Sequence, residues 1–226
     1  MIEAEWLACA DPKPMLVFLQ WNASARKSLL FNVACCRRIW HLLLDERSRT
    51  LVEQVERFAD GKVTIFDVSS AADLHDSAQE AYDFKAPWWA AMYAPSSSNC
   101  QETATDAAEA VGCAAWWDSI PEDDPLIESV HSVSRHAELE AQCSILRDIF
   151  GPQPFRPLSL HSSSLSNTVS ELAQAIYDDR SFDRLPELAD AMQKAGCDSE
   201  EILNHLRGTG PHVRGCWALD LVLGKK

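Results

Sequence analysis

Glycine is scarce in this 226-residue chain, at 8 residues, and no stretch sustains the alternation of β-branched or aromatic residues with polar ones that a half-buried strand requires. Helix formers dominate what remains, so the expected fold is an all-α multi-helix bundle of about nine to ten helices with a small C-terminal helical lobe. No apolar run approaches the roughly 20 residues that span a bilayer, and no membrane partner is expected. The opening residues, Met1 to Trp6, lack the basic start and apolar core of an export signal. A cytoplasmic location with free, buried thiols is therefore expected for the eight cysteines. None of them forms a Cys-x-x-Cys pair, which removes the usual zinc-ribbon and thioredoxin spacings.

A surplus of positive charge is also missing. Lys and Arg number 20 against 34 Asp and Glu, a net charge of −14. The window from Asp60 to Glu140 holds 16 acids and 3 bases, a net of −13, which leaves −1 for everything outside it. An acidic block of this kind repels phosphate backbones and argues against nucleic acid as a partner. Its simplest use is a solvated helical face. Arg26, Lys27, Arg37, Arg38, Arg47 and Arg49 make the N-terminal helical hairpin locally basic, and docking against acids of the same chain is the simplest use of that charge.

Punctuation divides the chain. Short helices are expected over Glu3 to Cys9 and Pro14 to Gln20. Ser24 caps a helix whose stripe is Leu29, Val33, Cys36, Trp40 and Leu43, and Asp45 caps the next, ending at Gly61. Residues 62 to 70 are expected to form an ordered loop, because a lone strand has no partner. Helices follow over Ala71 to Tyr93, interrupted at Pro87, and over Gln101 to Asp118. Asp124 and Pro125 open a long helix closed by Gly151. The stretch 151–167 is rich in Pro and Ser and is assigned as the connector between an N-terminal lobe, 1–150, and a C-terminal lobe, 168–226. Within the latter, Thr168 with Glu171, Pro186, Asp198 with Glu201, and Pro211 mark four helix starts.

Three segments carry a family resemblance: residues 3–9, Glu-Ala-Glu-Trp-Leu-Ala-Cys; residues 34–43, Ala-Cys-Cys-Arg-Arg-Ile-Trp-His-Leu-Leu; and residues 212–220, His-Val-Arg-Gly-Cys-Trp-Ala-Leu-Asp. They resemble an uncharacterised helical family abundant in planctomycete-type bacteria. The resemblance covers both ends, about half of the chain, and implies an all-helical fold without supplying an activity.

Chemistry-bearing residues concentrate near the C-terminus. If a helix starts at Pro211, His212, Cys216 and Asp220 fall at i, i+4 and i+8 on one face. Imidazole and thiolate are zinc ligands, and Cys35, Cys36, His41 and His205 are the side chains available to complete a metal set with His212 and Cys216. The same trio makes Cys216 a candidate nucleophile, His212 its base and Asp220 the orienting group, yet collinear side chains on one helix do not converge as a catalytic triad must. The expected alternative is structural: Cys216 packs as a small hydrophobe, and Asp220 pairs with Arg38 or Arg207. Trp88, Trp89, Trp116 and Trp117 form two adjacent pairs that cannot all enter one core, which makes them candidate partner-binding anchors. The leading expectation is a non-catalytic interaction or scaffold protein with another protein as partner and no cofactor. A metal- or thiol-dependent enzyme is the alternative.

Overall fold

The computed structural model describes residues 1–20, 23–81, 86–117, 127–160 and 165–225. Among them are twelve α-helices and no strand, so the all-α expectation holds with slightly more helices than expected. They are α1 (Glu3–Ala8), α2 (Pro12–Leu19), α3 (Ala25–Arg38), α4 (Glu46–Ala59), α5 (Ile65–Asp76), α6 (Ala86–Tyr93), α7 (Cys100–Trp117), α8 (Ile127–Phe150), α9 (Asn167–Asp179), α10 (Leu185–Lys194), α11 (Glu200–Arg207) and α12 (Trp217–Leu223). Contacts divide the chain within α8, into a unit covering Glu3–Cys143 and a unit covering Ser144–Lys226. That division lies upstream of the 151–167 stretch taken as a connector. Leu158, Leu160 and Leu165, within that stretch, pack onto the core of the second unit.

In the first unit α3 is the central element and packs on α4, α6 and α7. Ser24 caps it through the Lys27 amide, and Leu29, Val33 and Cys36 of the expected stripe are buried. The helix stops at Arg38, and Trp40 to Leu42 form a short 3₁₀ turn instead of its last turn. The basic residues of this hairpin are neutralised from nearby: Arg26 pairs with Asp60, Arg37 with Glu56, Arg47 with Asp45 and Arg49 with Glu46. Arg38 grips Glu138 through Nε and Nη2, both at 2.8 Å, while Gln142 ties the same carboxylate to the Ala104 carbonyl. That fork raises the Arg38 pKa further and leaves the guanidinium permanently charged.

Residues 62 to 70 differ from expectation. Ile65 begins α5, because Thr64 and Asp67 form a reciprocal capping box, with the Asp67 carboxylate accepting from the Thr64 amide at 2.7 Å. Pro87 lies in the first turn of α6, where its missing N–H costs nothing, so it helps to start that helix and does not interrupt a longer one. The expected start of the long helix at Asp124 and Pro125 lies outside the described residues, but Gly151 ends α8 with φ of +52°.

The second unit is a bundle of α9 to α12 around Ile176, Tyr177, Leu188, Met192, Leu206 and Trp217. Ser166, not Thr168, caps α9, and Ser199 precedes α11. Gly151 lies beneath Trp217: a Cβ there would approach the indole to 2.5 Å. The chain after α11 does not re-enter helix at Pro211. Residues 208–216 form a loop, with φ of +84° at Gly210 and +96° at Gly215, and helix resumes only at Trp217.

A candidate polar cluster of the second unit

The late start of α12 removes the expected face of His212, Cys216 and Asp220. His212 lies in the loop, Cys216 is the residue before the helix, and Asp220 is buried inside α12, outside the group that holds both. Arg38 and Arg207, proposed as partners for Asp220, pair with Glu138 and Asp190. The loop nonetheless delivers His212 and Cys216 to one place, by a fold-back and not by helical periodicity.

Asp148, in the last turn of α8, supplies the carboxylate. It is 3% exposed. Its Oδ1 lies 2.7 Å from His212 Nδ1 and 3.1 Å from His205 Nε2, and its Oδ2 accepts from the Val213 amide at 2.9 Å. The Cys216 sulfur sits 3.2 Å from the same His205 Nε2. One donor atom from each of Asp148, His205, His212 and Cys216 lies within 4.8 Å of the others. The rings are held from behind, His205 packing 4.8 Å from the Trp217 ring and 5.1 Å from His212, and His212 Nε2 facing the Gly208 carbonyl at 3.2 Å. A shallow depression of about 270 Å³, walled by Ser144, Arg147 and the Gly208–Pro211 loop, reaches Asp148 and both histidines.

Burial and pairing pull the groups in opposite directions. Burial alone would lower the His212 pKa, but the hydrogen bond and charge of Asp148 prevail and hold it above the ordinary value. Burial would raise Asp148, and the two histidines more than offset that and hold it low. Cys216 is wholly buried, and desolvation followed by the charge of Asp148 pushes its thiol well up. With Nε2–H directed at Gly208, neutral His212 would aim a lone pair at the carboxylate. The short contact at Nδ1 is therefore stable only with an imidazolium or with a cation shared by the two groups.

The cluster does not have the arrangement of a Cys-His-Asp relay. In a Cys-His-Asp relay the thiol and the carboxylate contact opposite nitrogens of one imidazole. Here Cys216 and Asp148 approach the same nitrogen of His205.

Of the other sequence candidates, Cys36 is buried in the first unit and its thiol faces the Ala90 carbonyl at 3.4 Å. His41 lies on the 3₁₀ turn, exposed, and neither residue is in the Asp148 group. Trp88 is buried, stacked 5.2 Å from His75, and donates to the His75 carbonyl, so it is a core residue and not an anchor. Trp89 is 37% exposed, stacked on Tyr93. Trp116 and Trp117 close α7, and their side chains lie outside the described residues. A second group, Glu109, Cys113 and His131, is brought together by α7 and α8 without a spacing that marks it in the sequence. It is partly exposed, and Glu109 is already paired with both His131 and Arg135. Asp148 was equally hidden, since nothing in the Leu146–Phe150 pattern marks it except that a carboxylate falls in an otherwise buried turn.

No helix among the described residues is long and apolar enough to cross a membrane. No protein-family model, no curated protein and no solved structure matches the chain.

Proposed function

We propose that this chain is a non-catalytic helical interaction protein, in which the Asp148 cluster acts as an internal lock on the second unit. The observation that carries this reading is the shared nitrogen: Cys216 and Asp148 both face Nε2 of His205, which leaves the thiol with no dedicated base. A thiol that is 0% exposed and pushed up in pKa adds to that support, because thiolate chemistry needs an accessible, acidified sulfur. His212 and Cys216 of the lock lie in one of the three segments that carry the resemblance to an uncharacterised helical family.

The interaction half of the proposal is supported by α5. Ile65, Phe66 and Leu74 are 54%, 79% and 58% exposed, beside Asp67, Asp73 and Asp76. Large apolar side chains rimmed by acids suit a protein partner with an apolar patch and basic margins. Nucleic acid and membranes do not fit such a surface.

Timed alkylation of the native protein, read cysteine by cysteine in a mass spectrometer, tests the lock. Cys216 is expected to label with the slowest thiols, after the partly exposed Cys9 and Cys113. Labelling of Cys216 ahead of those two would refute the non-catalytic reading. A photo-crosslinker at position 66 tests the surface, and a protein adduct that disappears with Ile65→Glu is the expected result.

A further inference from the structure

We infer that Asp148 Oδ1, His205 Nε2, His212 Nδ1 and Cys216 Sγ form the ligand set of one divalent zinc-class ion. This inference rests on the reading of the cluster as a lock and names the ligand that closes it.

Donor chemistry selects the ion. Thiolate and imidazole favour zinc over magnesium or calcium, which take oxygen shells, and two imidazoles, one thiolate and one carboxylate make four ligands, the number of a closed structural zinc site. Charge closes as well. A divalent cation with one thiolate, one carboxylate and two neutral imidazoles sums to zero, the balance that a buried site demands.

Geometry agrees. Ligand distances of about 2.0 to 2.3 Å imply edges of roughly 3.3 to 3.6 Å between donors in a tetrahedral shell. Three of the six edges are 2.7, 3.1 and 3.2 Å and the other three are no longer than 4.8 Å, so the donors reach a tetrahedral shell with shifts of roughly half an ångström to one ångström. The groups behind the ligands are those a metal site uses. The Gly208 carbonyl facing Nε2 of His212 fixes the tautomer that points Nδ1 inward, and the Val213 amide holds the second oxygen of Asp148. Desolvation and then the Asp148 charge raise the Cys216 thiol, and the Leu219 and Ala218 amides at the start of α12 oppose them in part. Asp148, His205 and His212 border the depression, which gives an ion a path from solvent.

Binding exchanges protons for the ion. The metal-free cluster holds a thiol proton on Cys216 and the second proton of the His212 imidazolium. Both leave for solvent as the divalent ion enters, so the total charge of +2 is conserved. Affinity accordingly rises with pH.

The test uses the full chain, stripped by a chelator and titrated with Co²⁺ alone. One equivalent is expected to bind with a tetrahedral visible spectrum and a thiolate-to-cobalt charge-transfer band, both reversed by Zn²⁺. Cys216→Ser should abolish the band, Asp148→Asn should weaken binding by more than the roughly 10- to 100-fold cost of altering a supporting group, and Cys9→Ser should change neither. Absence of the band overturns the inference, as does a band that survives Cys216→Ser or is lost in Cys113→Ser. X-ray absorption of the zinc-loaded native chain covers variants that do not fold: one sulfur with three nitrogen or oxygen neighbours is expected, and a shell without sulfur refutes the site. Slow alkylation of Cys216 in chains without the cobalt band would overturn the metal and leave the non-catalytic reading intact.

Discussion

Glu138 and Asp148 are carboxylates of the same helix, α8, each 3% exposed, one in each unit, and the chain answers them with opposite chemistries. Glu138 meets an arginine fork and a glutamine. A guanidinium keeps its charge at any pH the protein meets, so that pair is fixed once folded. Asp148 meets two imidazoles, a backbone amide and a thiol, all but the amide able to gain or lose a proton. The contrast separates a permanent brace from an adjustable one. Burial alone predicts neither; the identity of the partner decides.

The widest gap between the two should come from removing the carboxylate that holds more groups. Asp148→Ala leaves His205, His212 and the Val213 amide without their shared acceptor, and urea unfolding should show a loss of about 3–5 kcal/mol, the usual cost of breaking a buried charged pair. A loss under about 1 kcal/mol would mean that the cluster is not a lock. Arg38→Ala, which strands Glu138, is expected to cost about 2 kcal/mol, less than a fully buried pair because the Arg38 side chain is 37% exposed.

The pH response sharpens the comparison next. Asp148 is held low, so its contribution is present above the unfolded carboxylate value near 3.8 and disappears as pH falls through the folded value. His212 is held high, so its contribution is full below the unfolded value of 6.5 and disappears as pH rises through the folded one. Metal-free protein should therefore lose stability on raising pH from about 6 toward 9, and Asp148→Ala should flatten that slope while Arg38→Ala leaves it unchanged. Equal slopes in the two variants would erase the distinction between the two carboxylates.

Smaller effects probe the scaffolds around each carboxylate. Gly151→Ala forces a Cβ into the Trp217 indole at a positive φ and should cost about 1–3 kcal/mol, visible as an altered tryptophan emission. Thr64→Ala in the first unit removes half of a capping box and should cost about 1 kcal/mol, with the Asp148 titration unaffected.

The helical class was legible because local signals carry it: caps at Ser24 and Asp45, the stripe of α3, and the glycine stops at Gly61 and Gly151 all act within one or two turns. The box at Thr64 and Asp67 is equally local, and it starts α5 where the absence of a partner strand suggests a loop. The cluster was legible only in part. His205, His212 and Cys216 stood out by residue type, but Pro211 suggested a helix that the two positive-φ glycines, Gly210 and Gly215, deny. Asp148 lies 57 residues before the nearer histidine, so only the fold brings it to them.

That separation has a consequence for biosynthesis. The donors are dispersed from position 148 to position 216, and translation delivers the sulfur last. While the ribosome is still working through the intervening codons, the carboxylate waits without its thiol, and α9, α10 and α11 can pair before the final knot is tied. A nascent chain halted before residue 216 would thus carry a half-built unit with an unsealed core, a form that chaperones and proteases can tell from the finished one.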